Sequence, residues 1–425
     1  MRNACTLRFV ASLCLGLVVA CSSAGSDPPA AAPPVVDPGD AGPATPPAPA
    51  PDAAPPAAPY PAFPFSAPQI VSRGGKVLTA PKVALLMYAG DPMTADAQAF
   101  VAAVGKSAYW SATTKEYGVG ALTALPPITV SDTAPATIDD TAIQAWLAGE
   151  LDGTHPEVPA PDGQTIYVIA YPEGTTVTRQ SETSCLQNGG YHSEATIGAT
   201  STSVPYVVLP RCAKYVGLTG KDEFTYALSH ELVEAALDPF LKSAPAYADV
   251  DVEHRALELA LGAGEAGDIC PGDSALASDM PFVVQRTWSN ASAKAGHHPC
   301  VPADPRPYFV SVPVLPETVP TSNIPFVTIA VGASRTIDVQ LSSDAPVATD
   351  WSVTAIDVAS VVYKRPAELS FALDRSTGNN GDVLHLTITA QRQGAINGTK
   401  GVSLFILRST SKDGEVAYVA GVVGN

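Results

Sequence analysis

The stretch from Asp222 to Pro239, reading DEFTYALSHELVEAALDP, decides how the rest of the chain is understood. Phe224, Ala227, Leu228, Leu232, Ala235 and Ala236 recur at the three- and four-residue spacing of one helical face, which predicts a helix with a buried side. Thr219 or Asp222 would cap its start, and Pro239 disfavours helix at the residue before it, so the helix should end there. Four residues apart, His230 and Glu234 fall on one face and can offer an imidazole and a carboxylate to a single metal ion. Glu231 is turned about 100° from His230 and would address a water instead of the ion. Asp238 lies one further turn along the same stripe.

The segment His230-Glu231-Leu232-Val233-Glu234 differs from the helical zinc-hydrolase pattern H-E-x-x-H in carrying Glu at the last position. A hydrolytic centre needs two or three fixed protein ligands and a base. Glu231 is the candidate catalytic base, with His230 and Glu234 as two metal ligands. A third ligand must come from elsewhere: Asp268 or Glu265 in the acidic turn Gly264–Cys270 first, Asp238 second because of its facing, His192 third. Zinc is the expected cofactor. Carboxylate in place of imidazole hardens the site, so calcium or manganese is the alternative. No Gly-x-Ser-x-Gly elbow or nucleotide-binding loop competes for the role.

At 425 residues the chain is long for a single domain. Acids exceed bases by 41 to 24, a formal charge of −17 with no basic run, which excludes nucleic acid as a partner. Residues 1–20 read as an export signal: Arg2 and Arg8 precede an apolar core from Phe9 to Ala20 that is short for a membrane span. Leu17-Val18-Val19-Ala20-Cys21 resembles the lipobox of bacterial lipoproteins, which implies lipidation at Cys21. The membrane is then a partner through that lipid, and Ser22 points to the outer membrane of the cell envelope. Residues 21–66 are dominated by Pro and Ala, cannot bury a core, and are expected to be a disordered tether.

Four cysteines remain after export: Cys185, Cys212, Cys270 and Cys300. An even number in an exported chain favours disulfides. Three pairings are available, and proximity in sequence favours Cys185 with Cys212 and Cys270 with Cys300. A four-cysteine zinc site would need C-x-x-C pairs that the chain lacks.

Continuous apolar runs at 82–88 and 164–171 predict buried strands, and 206–209 a third. Helical spacing marks 94–105, 107–117 and 137–151. Pro172 to Pro205 reads as a long polar loop. A short helix is expected at 252–261 and a strand at 282–288. Beyond about Pro307, alternating segments at 335–341, 350–357, 369–373, 383–390 and 402–408 predict an antiparallel sandwich. His385, alone on one of these strands, is expected to be an ordinary histidine.

Several of these features occur together elsewhere. Tyr88-Ala89-Gly90, Ser107-Ala108-Tyr109-Trp110 with Tyr117, Cys185 with Gly190-Tyr191-His192, the His230–Pro239 helix, Gly267-Asp268-Ile269-Cys270 and Gln285–Asn290 follow one another in an order that resembles the Exordium-like, phosphate-induced extracellular proteins of plants and related exported bacterial proteins. The resemblance covers about half the chain and implies a zincin-like metal site carried by His230, Glu231, Glu234 and Asp268. Plant members of that family are growth-associated apoplastic proteins.

The expected fold class is therefore an α+β zincin-like central domain over residues 67–305, followed by an all-β (Ig-like) sandwich domain over residues 306–425. The expected function is a surface-anchored lipoprotein with a metallopeptidase site acting on extracytoplasmic polypeptide. The alternative is a non-enzymatic envelope protein whose metal ion is structural.

Overall fold

Aliphatic runs with no polar alternation end up where both faces of a strand are covered. The computed structural model describes residues 58–198, 201–262, 264–303 and 305–425. The expected signal, Cys21 and most of the tether lie outside the described residues. At the centre is a six-stranded sheet of Lys82–Tyr88 (β1), Thr123–Ala124 (β2), Ile128–Val130 (β3), Thr165–Ala170 (β4), Tyr191–Ile197 (β5) and Thr202–Leu209 (β6). The order is β2-β1-β4-β6-β5, with β3 also on β1. All pairings are parallel except that of β5 with β6, which leaves β5 as an antiparallel edge strand.

Alternation along the strands divides the core in two. Val83, Leu85 and Met87 of β1 pack with the helices Thr94–Val104 (α1), Ala108–Thr114 (α2) and Gly220–Leu237 (α4). Ala84, Leu86 and Tyr88 pack on the opposite face with Ile143 and Leu147 of the helix Asp140–Glu150 (α3). Asp139 caps α3 by accepting from the backbone N–H groups of Thr141 and Ala142. The Asp140 carboxylate then accepts from both Tyr191 of β5, at 2.8 Å, and Tyr206 of β6.

Helix α4 starts after Thr219 and ends at Asp238, before Pro239. From Glu223 to Leu237 every residue is buried, so the helix is covered on its polar side as well as its apolar one. The strand Val283–Gln285 (β7) supplies part of that cover. Thr225 Oγ1 donates to Val283 O at 2.7 Å, and Ser229 Oγ accepts from Gln285 N at 2.9 Å.

C-terminal to this, Phe309–Pro313 (β8), Pro325–Thr328 (β9), Ser334–Ser343 (β10), Trp351–Asp357 (β11), Leu369–Leu373 (β12), Val383–Ala390 (β13), Val402–Thr410 (β14) and Val416–Gly424 (β15) build two larger sheets. One has the order β8-β10-β13-β12, and the other contains β9-β15-β14-β11 with a short strand at each end. Val339, Leu341, Leu384, Leu386, Ile388, Trp351, Phe405 and Leu407 form their common core. Trp351 is fully buried and its indole N–H donates to Ser311 Oγ at 3.0 Å. Residues 59–63, at the end of the expected tether, lie against this part: Asn380 bonds Pro59 O and Ala62 N, and Ser342 Oγ bonds the backbone of Phe63.

The expected fold class needs correction. Strand makes up 35% and helix 18% of the described residues, spread over eight sheets, so the chain is mostly β and does not have the α+β zincin fold. Among the described residues α4, with 18 residues, is the one helix longer than 11. Part of the misreading lies in Pro172 to Pro205, expected as a loop, which holds the strands Thr176–Arg179 and Glu182–Thr183, all of β5 and the first half of β6. Strand preference reflects packing against neighbours more than backbone preference, and a segment rich in Ser, Thr, Gly and Glu does not announce neighbours it meets only after folding.

Candidate metal centre

Three elements converge on the polar side of α4: β5 with His192, the turn Gly264–Cys270 with Glu265 and Asp268, and β7 with Gln285. His192, His230, Glu231, Glu234, Glu265 and Asp268 are each at most 7% exposed. Burying four carboxylates together is costly unless positive charge joins them.

Gln285 sets the state of His230. Its amide nitrogen donates to Gly267 O at 2.7 Å and more weakly to Cys270 O at 3.3 Å, which leaves Oε1 to face His230 Nδ1 at 2.9 Å. His230 therefore donates from Nδ1 and turns Nε2 towards the carboxylates. Nε2 stands 3.1 Å from Glu234, 3.7 Å from Glu231 and 3.9 Å from Asp268.

Glu234 is held just as firmly. Its Oε1 accepts from the backbone N–H groups of Gly267 and Asp268, at 3.0 and 3.2 Å, and its Oε2 is the oxygen nearest His230. The turn can come this close because residue 267 is glycine. A Cβ there would stand 2.4 Å from His230 Nδ1 and 2.9 Å from Glu234 Oε1.

His192 reaches the cluster from the edge strand. Its Nδ1 lies 3.5 Å from Glu231 and 3.7 Å from Glu234, and its Nε2 lies 3.3 Å from Glu265. Neither Asp268 oxygen has a hydrogen-bond partner, nor have His192 Nε2 and Glu265 Oε1. Buried polar atoms without partners call for a missing one, here a cation.

The electrostatics agree. Burial disfavours a charged His230, but Glu234, Glu231 and Asp268 outweigh it and push the imidazole up to about 10. For His192 burial is likewise outweighed, by Glu265, Glu231 and Glu234, and its affinity for a proton rises well above the usual range. Burial, reinforced by Glu234, pushes Asp268 well above the carboxylate range. A divalent ion bound here would displace those protons, as metal binding at such ligands generally does.

Among the described residues, three His and carboxylate groups have donor atoms within 4.8 Å of one another. Glu150, His155 and Glu157 lie towards the surface. The other two, His230 with Glu234 and Asp268, and His192 with Glu234 and Glu265, are buried and share Glu234. These residues can hold a metal ion. Asp238 belongs to neither group. It is buried, its Oδ1 accepts from Ala246 N at 2.6 Å, and burial followed by Glu265 raises it to about 6. A small cleft of about 40 Å³ opens over the centre, lined in part by Arg179, Tyr191, His192, Glu231 and Glu265.

Two disulfides flank the centre. Cys185 is joined to Cys212 and Cys270 to Cys300, the pairs favoured by proximity. The second begins two residues after Asp268. Sequence reasoning did not assign Gln285 a role, and it carries no local signal that would separate it from any other strand glutamine.

No family of known proteins matches the chain, and no curated protein matches it. Several solved structures show partial likeness. Domains 4 and 5 of the S-layer protein SbsC are 13% identical with a TM-score of 0.18, over 28% of this chain and 54% of that one. Domains 1–6 of SbsC are 15% identical with a TM-score of 0.17, over 30% and 18%. A Bacteroides ovatus GH5 xyloglucanase, solved with a XXXG heptasaccharide, is 11% identical with a TM-score of 0.14, over 23% and 16%. The chain thus spans about half of the first of these structures and less than a fifth of the other two.

Proposed function

We propose that the chain is a metal-dependent peptidase acting on extracytoplasmic polypeptide, tethered to the bacterial cell envelope, outer membrane side, through a lipid on Cys21. The observation that carries this reading is the convergence of His230 Nε2, Glu234 and Asp268, whose carboxylate oxygens have no hydrogen-bond partner, beside a third carboxylate, Glu231, that lines a cleft. His230, Glu234 and Asp268 would hold zinc; a donor set with two carboxylates also suits manganese or calcium. When bound, such an ion polarises a carbonyl and acidifies water.

Glu231 would serve as the general base. It lies in the cleft wall and touches both imidazoles without being used as a cap or a structural anchor. His192, 3.5 Å from Glu231, can steady the carboxylate as it changes charge.

The test is cleavage of a reduced, unfolded protein by the purified chain. The expected result is chelator-sensitive cleavage, restored by zinc, and lost by roughly 10²-fold or more in Glu231→Gln with metal content unchanged. Unchanged cleavage in that variant would remove Glu231 from the catalytic role.

A second reading is a non-enzymatic envelope protein with a structural ion. Burial of every donor favours it. It requires that chelator lower the melting temperature and that Glu234→Ala cost folding stability, while no substrate is cleaved.

A further inference from the structure

The pair of buried ligand groups points beyond a single ion. We propose that a second divalent cation binds beside the first, held by His192, Glu234 and Glu265, with Glu234 shared between the two. The proposal extends the metal centre above and rests on the first ion being held by His230, Glu234 and Asp268.

Three independent features support it. The first is placement. His192 comes from β5, Glu234 from α4 and Glu265 from the turn 264–270, and their donor atoms lie within 4.8 Å of one another. Segments this far apart in sequence bring three donors together at one buried point. His192 Nε2 and Glu265 Oε1 are 3.3 Å apart, yet neither makes a hydrogen bond. A cation between them satisfies both.

The second is the other nitrogen of His192. Nδ1 faces Glu231 Oε2 and Glu234 Oε2, at 3.5 and 3.7 Å. Ligating histidines commonly give their remaining N–H to a carboxylate, which fixes the ring and strengthens the donor. His192 is placed for that arrangement, with Nε2 left for the ion.

The third is charge. Glu231, Glu234, Glu265 and Asp268 carry four negative charges when ionised, and among the described residues no Lys or Arg forms an ion pair with any of them. Arg179, at the cleft, stacks on the ring of Tyr191. One divalent ion leaves two buried charges uncompensated, and two ions neutralise the cluster. Paired ions in such centres sit about 3.5–4 Å apart, a separation that one carboxylate can bridge.

The two positions differ in access. His192, Glu234 and Glu265 all line the cleft, whereas of the first position's donors His230 and Glu234 do and Asp268 does not. The second ion is therefore the one nearer solvent and should exchange first.

The experiment is manganese binding to the full purified chain by equilibrium dialysis, with electron paramagnetic resonance of the loaded protein. Two ions per chain are expected, with a spin-coupled signal. Glu265→Gln and His192→Asn should each bind one ion, uncoupled, with a near-ultraviolet dichroism spectrum like that of the parent. Saturation of the parent chain at one ion, a result that needs no variant to fold, overturns the second site and leaves the first standing. Two ions in both variants overturns the residue assignment. No bound ion in the parent overturns this proposal and the metal centre together.

Discussion

The side-chain amide of Gln285 and the imidazole of His230 form one unit: Oε1 of the glutamine faces Nδ1 of the histidine at 2.9 Å, and its amide nitrogen is committed to Gly267 O. The glutamine cannot turn over without losing that bond, so the histidine keeps Nε2 directed at Glu234 and Asp268. Replacing Gln285 with Leu should weaken metal binding by about 10–100-fold, the usual cost of losing such a partner. Competition with a chelator of known affinity measures it. An unchanged affinity would mean that Gln285 does not orient the ligand.

Gly267 is the tightest point of the centre. A methyl group 2.4 Å from His230 Nδ1 cannot be accommodated without moving the turn, so Gly267→Ala should cost about 1–3 kcal/mol and reduce metal content. Thermal melting and metal analysis on one preparation would show both effects. Gly149, in α3 with nothing near its missing Cβ and an ordinary helical backbone, should tolerate Ala without loss of metal.

The Cys270–Cys300 bond closes a separation of 30 residues beside Asp268. Loop-closure entropy for that length corresponds to about 3–4 kcal/mol. A Cys270→Ser, Cys300→Ser double variant should therefore unfold at lower denaturant and hold metal less tightly, because Asp268 loses its anchorage. Removing the Cys185–Cys212 bond should instead disturb the cleft wall near Gly190. Metal retention at mild denaturant distinguishes the two.

Glu223 gives a pH dependence away from the metal. It is fully buried, neither oxygen has a hydrogen-bond partner, and burial, opposed by Arg211, raises it from 4.5 to about 8. Between those values the folded chain holds a proton that the unfolded chain has released, so stability falls as pH rises from 4.5 to about 8 and levels off above that. Glu223→Gln should remove this slope and make the protein more stable than the parent at pH 9, by on the order of 1–4 kcal/mol. Denaturant unfolding at pH 5 and pH 9 is the measurement, and equal slopes in the two proteins would refute it.

Much of the local structure was legible because it is written in short-range pattern. The run Val83–Tyr88 could only be a buried strand, the six apolar residues of 222–239 could only be one side of a helix, and Pro239 had to stop it. The alternating segments after Pro307 likewise lie within a residue or two of β10 to β14. Pairing of the nearest cysteines followed from the low cost of closing short loops.

The balance of the fold was not legible. Strands such as Tyr191–Ile197 are polar in composition and become strands because β6 offers them a ladder. That is why a chain anticipated as α+β is mostly β.

The opening stretch shows the same division. His230, Glu231 and Glu234 share a region of helix surface by the geometry of 3.6 residues per turn, and no tertiary information was needed to say so. Asp238, chosen by the same reasoning, gives one oxygen to Ala246 N and joins none of the His and carboxylate groups. Asp268, Glu265, His192 and Gln285 come from a turn and two strands tens of residues away. Periodicity acts over a few residues, whereas a cluster of buried charge is assembled by packing, and only the folded chain brings those groups to one point.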